Sequence, residues 1–148
     1  MAGPTSVLFA CTHNAIRSPM AEAILKHLAG SRIFVDSVGV RPGEPEPDPF
    51  AVAVMKEIGI DLSRHRPKSF DDLDDDNFDL VISLSPEAQH RAVEMTRTTA
   101  CDLEFWNTFD PTAVEGNRET RMAAFRQVRD WLLARIRERF GDLVKERA

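Results

Sequence analysis

The sequence predicts an α/β chain, a three-layer doubly wound sandwich on a four-stranded parallel sheet, and three observations carry that expectation. Short apolar runs of strand length alternate along the chain with amphipathic stretches of helix length. Ser-Pro, Asp-Pro and glycine signals mark the transitions between them. With 148 residues, 43% of them hydrophobic and 29% charged, the chain has the composition of an ordinary globular domain. That length buries about 68–70% of the surface exposed by the unfolded chain. Residues 1–148 are expected to form one domain.

Val7, Leu8, Phe9 and Ala10 are too few for a helix and read as strand one, with Cys11 directly after it. Ser18 as N-cap and Pro19 at the first helical position predict a helix with Met20, Ile24 and Leu28 on one stripe and Gly30 as its stop. Strand two runs from Ile33 through Val35 to Val40, and the proline-rich segment Arg41 to Pro49 is a surface loop. Asp48-Pro49 caps helix two, whose stripe is Val52, Met55 and Ile58, ended by Gly59. The polar connection Ser63 to Ser69 and an aspartate cluster lead to strand three, Leu80 to Ile82; the cluster is Asp71, Asp72, Asp74, Asp75, Asp76 and Asp79. Ser85-Pro86 opens helix three. Strand four follows at Leu103 to Phe105, then an irregular loop from Asn107 to Asn117. A long helix closes the chain with Met122, Phe125, Val128, Leu132, Ile136 and Phe140 at spacings of three and four.

A net charge of −5 argues against nucleic acid or an anionic membrane as partner. The aspartates lack the regular spacing and glycine bend of a calcium loop, so they read as a solvated stretch, and no metal or cofactor is required. Two cysteines ninety positions apart exclude a disulfide framework, and no run is long enough to span a membrane; a cytoplasmic protein is expected.

The chemistry concentrates between strand one and the first helix, in Cys11-Thr12-His13-Asn14-Ala15-Ile16-Arg17-Ser18. Five residues between a cysteine and an arginine let successive backbone N–H groups curl around one tetrahedral oxyanion. The helix N-terminus adds its partial charge, and the guanidinium grips two oxygens as a fork. The same field favours a thiolate over a thiol, and the Ser18 hydroxyl is placed to donate to it. A thiolate nucleophile needs an acid for the leaving oxygen. Asp110, in Phe109-Asp110-Pro111-Thr112 on the long C-terminal loop, is the candidate, and that loop is placed to close over the anion.

At these residues the chain resembles the low-molecular-weight protein tyrosine phosphatase family, which shares its fold with the thioredoxin-coupled arsenate reductases. The resemblance runs through Val7-Leu8-Phe9-Ala10-Cys11, Arg17-Ser18-Pro19-Met20-Ala21-Glu22-Ala23, Val35-Asp36-Ser37, Pro47-Asp48-Pro49, Glu57 to Ser63, His65-Arg66 and Asp110-Pro111. It implies Cys11 as nucleophile and Arg17 with the amides of residues 12–17 (Thr12, His13, Asn14, Ala15, Ile16) as phosphate cradle. It also implies Ser18 as thiolate stabiliser, Asp110 as general acid, and Ser37 and His65 as braces of Asn14.

The chain departs from the family in ways that bear on substrate. His13 replaces the usual loop glycine and Ile16 a common second loop cysteine, and Ser85 and Ala92 stand where the reductases' two relay cysteines would fall. The chain has no tyrosine. Thr112 and Ala113 follow the Asp-Pro, and Arg41-Pro42-Gly43 begins the other wall, leaving Phe105, Trp106 and Phe109 as candidate aromatic walls. The expected function is hydrolysis of a phosphomonoester, on a phosphorylated protein or small molecule, through a cysteinyl-phosphate. Inorganic phosphate or arsenate would act as inhibitor or substrate. One alternative is an arsenate reductase that borrows an external small thiol such as glutathione or mycothiol; another is a non-catalytic module that holds an oxyanion or phosphoprotein. Cys101 is expected as a buried residue before the last strand. Arg118, Arg121 and Arg126 offer a docking face for an acidic partner, and His27 and His90 lie on solvated helix faces.

Overall fold

Four strands, β1 (Ser6–Cys11), β2 (Phe34–Gly39), β3 (Leu80–Ser83) and β4 (Asp102–Phe105), pair in the order β2-β1-β3-β4, every neighbour parallel. The computed structural model describes residues 3–75, 77–141 and 143; Asp76 of the aspartate cluster lies outside them. The helices are α1 (Arg17–Ala29), α2 (Pro49–Lys56), α3 (Pro86–Met95) and α4 (Arg118–Arg139), with 3-10 turns at Gly30–Arg32, Phe70–Asp72 and Pro111–Ala113.

β1 is central and its run is apolar on both faces, as a parallel strand covered on both sides must be. Val7, Phe9 and Cys11 enter the core beneath α1, α2 and α4, whereas Leu8 and Ala10 enter a smaller core with Ala88, Ala92 and Met95 of α3. The sandwich is therefore lopsided, with three helices on one face and α3, assisted by Phe70 and Phe78, on the other. Cys11 ends β1 at the carboxyl edge of the sheet, where open α/β folds collect their ligands.

Side chains cap three of the helices: Asp48 accepts from Phe50 N–H at 2.8 Å, Ser85 from Ala88 N–H at 3.2 Å and Asn117 from Thr120 N–H at 2.9 Å. The first helix differs from expectation. It begins at Arg17, one residue before the predicted cap, and Ile16 at its N-cap makes no side-chain capping bond. Ser18 lies inside the first turn with its hydroxyl committed to Cys11. Pro19 is tolerated there because the first four helical N–H groups lack intrahelical acceptors anyway. In α2 the buried face is Ala51, Val54 and Met55, one position out of phase with the predicted stripe, because the helix ends at Lys56 and Gly59 turns in the left-handed region (φ 79°). Trp106 is also no wall. It is buried, edge-on to Phe9, with its Nε1–H donated to Glu104. Cys101 is half-buried rather than buried.

The predicted docking arginines are engaged within the chain. Arg118 and Arg121 lie over the Phe50 ring, and Arg126 pairs with Glu57 and Glu119. His27 and His90 are exposed. Among the described residues no helix is long and apolar enough to cross a membrane.

Candidate active site

The loop from Cys11 to Arg17 is held open by backbone that side chains elsewhere dictate. Asn14 adopts φ 57°, in the left-handed region where asparagine is among the few tolerated residues. Gly39 at the end of β2 backs the loop so closely that a Cβ there would stand 2.7 Å from Asn14 N and His13 C. Val40 N–H and Arg41 N–H continue the ladder onto the Cys11 and Thr12 carbonyls, and Asp48 N–H reaches the Ala15 carbonyl.

Cys11 is 2% exposed, and its sulfur faces donors: Asn14 N–H at 3.3 Å, Ser18 N–H at 3.4 Å and the Ser18 hydroxyl at 2.9 Å. The direction of that last bond follows from Asn14. Its Nδ2 can only donate, and it donates to Ser18 Oγ at 2.8 Å and Ser37 Oγ at 2.9 Å. Each hydroxyl must send its own hydrogen onward. Ser37 sends it to Glu22 Oε1 at 2.5 Å; Ser18 has Sγ at 2.9 Å, with the Val38 carbonyl at 3.3 Å as the longer option. A sulfur so surrounded is set up as a hydrogen-bond acceptor.

Asn14 Oδ1 accepts from Lys68 N–H at 2.9 Å and from His65 Nε2 at 3.1 Å, and His65 Nε2 also reaches the Asn14 carbonyl at 3.0 Å. Both partners accept, so Nε2 carries the hydrogen. Burial holds the His65 imidazole below its usual pKa, opposed by the Asn14 carbonyl and the Glu22 carboxylate, 3.9 Å from Nδ1. Glu22, itself buried, is bound by Lys26.

Arg17 is 8% exposed and donates one hydrogen bond, from Nη1 to the Thr108 carbonyl at 2.9 Å. A cavity of about 310 Å³ opens over the sulfur, lined by Cys11, His13, Ala15, Ile16, Arg17, Gly43, Glu44, Asp48, Asp110 and Thr112. The N–H groups of residues 13 and 15–17 donate to no acceptor among the described residues. Both hydrogen bonds of Asp110, from Thr112 N–H at 2.9 Å and Thr112 Oγ1 at 2.7 Å, fall on Oδ1. The second oxygen has no hydrogen-bond partner among the described residues. Asp110 also caps the Pro111–Ala113 turn inside the predicted irregular loop.

Of the predicted site residues, the structure brings Cys11, His13, Ala15, Ile16, Arg17 and Asp110 to one cavity. It sets Asn14 and Ser18 beneath the sulfur, and Ser37 and His65 on Asn14. Thr12 turns away, its hydroxyl donating to Ser85 Oγ at 3.0 Å. Phe105 and Phe109 are exposed and neither lines the cavity. Sequence reasoning missed Glu22, Gly39, Glu44 and Lys68, and read Asp48 only as a cap. A glutamate on the buried side of a helix was the one available signal, at Glu22.

Residues 6–148 match the family described as low molecular weight phosphotyrosine protein phosphatase. An arsenate reductase of Bacillus subtilis (strain 168) is 35% identical over 132 residues, spanning 89% of this chain and 92% of that protein. A solved arsenate reductase in the phosphate binding state is 28% identical with a TM-score of 0.71, covering 93% of this chain and 98% of the other. A solved low molecular weight protein tyrosine phosphatase from T. tengcongensis is 28% identical with a TM-score of 0.70, covering 97% and 99%.

Proposed function

The chain belongs to the low molecular weight phosphotyrosine protein phosphatase family, whose members share this fold, and on that premise we propose that it is a cysteine-dependent phosphomonoesterase. The observation that carries this reading is one cavity holding a donor-surrounded sulfur, a buried guanidinium and a carboxyl group with one oxygen unengaged. Arg17 and the N–H groups of residues 13 and 15–17 receive the phosphoryl oxygens. Cys11 Sγ attacks phosphorus, forming an S–P bond as the P–O bond to the leaving group breaks, and Asp110 protonates the departing oxygen. Asp110 then takes a proton from water, whose oxygen attacks phosphorus. The S–P bond breaks, returning the thiolate and releasing inorganic phosphate. The structure of Asn14, Ser18 and Ser37 supports this by directing a hydroxyl hydrogen at the sulfur.

The arsenate reductase named among the relatives favours a second reading, since arsenate matches phosphate in shape and charge. An internal thiol relay does not fit. Val7, Leu80 and Asp102 are level across the sheet, and Cys11 lies four residues beyond Val7. Cys101, one residue before Asp102, is therefore about 16 Å away along the strands and two strand spacings, about 10 Å, across them. Disulfide formation needs Cα atoms within roughly 7 Å. Ser85 caps α3 and Ala92 is core, so neither relay position carries sulfur. A reductase here would form an S–As bond at Cys11 as one As–O bond breaks and its oxygen leaves as water. An external thiol would then attack Sγ, releasing arsenite and leaving a mixed disulfide.

Side-by-side turnover of p-nitrophenyl phosphate, and of arsenate with added small thiols, tests the proposal in wild type and Cys11→Ser. Phosphate release that depends on Cys11, without arsenite, supports it; arsenite that depends on an added thiol replaces it with the second reading.

A further inference from the structure

The wall of the cavity is acidic where an aryl slot would be aromatic. Besides the cradle, its lining is Gly43, Glu44, Asp48, Asp110 and Thr112, with no aromatic side chain. Two of these carboxylates have no part in the proposed chemistry. Glu44 makes no ion pair or hydrogen bond among the described residues, and Asp48 has only the Phe50 N–H on Oδ1. The cation nearest to them in sequence, Arg41, is spent elsewhere. It forks onto Glu87 of α3 at 2.9 and 2.7 Å, and its carbonyl bonds His13 Nδ1 at 3.0 Å. The Arg41 guanidinium holds the Glu87 carboxyl below the usual range, so the pair neutralises itself outside the cavity lining.

Arg17 lines the same cavity, more than nine-tenths buried and with one protein acceptor, which marks the anion's place. A doubly negative phosphoryl group there shares one cavity with Glu44 and Asp48, and like charges repel. A substrate that brings its own positive charge turns that repulsion into attraction. We propose that the substrates are phosphorylated compounds carrying an ammonium or guanidinium group close to the phosphoryl group, selected by Glu44 and Asp48. This rests on the phosphatase reading of the same cavity for its reaction, but not for its charge preference.

The test uses three aryl phosphates differing only in the para substituent: methyl, ammoniomethyl or carboxymethyl. With wild type, kcat/KM is expected to be about fivefold higher for the ammoniomethyl than the methyl compound and lower again for carboxymethyl. The order should collapse in Glu44→Gln and invert in Glu44→Lys. An arm with the para-guanidinomethyl aryl phosphate compares the two cation sources. Binding is read separately from turnover, using Cys11→Ser protein and the matching benzylphosphonates. Preferential binding of the cationic phosphonate without turnover by wild type keeps the charge inference and removes the phosphatase reading. Equal binding of the cationic and neutral phosphonates overturns the charge inference, whatever the turnover. Preference unchanged in Glu44→Gln combined with Asp48→Asn overturns it as well.

Discussion

Around Cys11 the decisive hydrogen bonds cross long stretches of chain, joining Asn14 to Ser37, His65 and Lys68, and Ser18 to Val38. Around Asp110 they run to Thr112, two residues on, and the Arg17–Thr108 bond ties that loop to the cradle. The nucleophile's side is buried and fixed by three separate segments, and the acid itself is only half-buried and fixed locally. The difference teaches a division of labour. A cradle that must present several N–H groups to one anion gains from being over-determined, because misplacement of reacting groups is costly. An acid that must give a proton to one face and take it from water needs a segment free to adjust.

That comparison is broken most severely at the sulfur. Cys11→Ser is expected to lower turnover by about 10⁴-fold or more while phosphate binding, read by calorimetry, persists. Residual activity near wild type would remove Cys11 from the chemistry. Next in size is Asp110→Asn, expected to lower kcat by about 10²–10⁴-fold for poor leaving groups and less for p-nitrophenolate. Equal losses across a series of aryl phosphates would end its assignment as acid. Neither change should move the urea midpoint by much.

Asn14→Ala sharpens the contrast from the other direction. It removes the bonds to Ser18, Ser37 and His65 and leaves Lys68 N–H without its acceptor, and should cost about 2–4 kcal/mol of stability in urea unfolding along with oxyanion affinity. The matching change in the acid's loop, Thr112→Val, removes an exposed bond and should cost under about 1 kcal/mol. Comparable losses for the two variants would erase the distinction between the regions.

The smallest expected effect is a pH dependence. Burial holds His65 below its usual value of 6.5, so the unfolded chain binds the extra proton more readily. The stability tied to neutral His65 is fully present above about pH 6.5 and is lost as pH falls through the lower folded-state value. Urea midpoints should decline over that acid range in wild type and decline less in His65→Gln.

The sequence itself determined the alternation of strands and helices, the place of Cys11 after β1 and the Cys-to-Arg spacing, because these depend on local periodicity and on a loop that closes over five residues. Asp48 and Ser85 were readable as helix starts for the same reason, as each acts within three residues. For Ser18 that logic misplaced the cap but not the bond to the sulfur seven positions back, and it did not reach Val38 across the sheet. Only the tertiary structure decided that Trp106 is core, that Arg41 is spent on Glu87, and that Glu22 anchors Ser37. It also decided that Glu44 and Asp48 look into the same cavity as Arg17. The physical reason is common to all four: a buried or charged side chain takes the partner that the fold brings near, and distance along the chain does not encode which one that is.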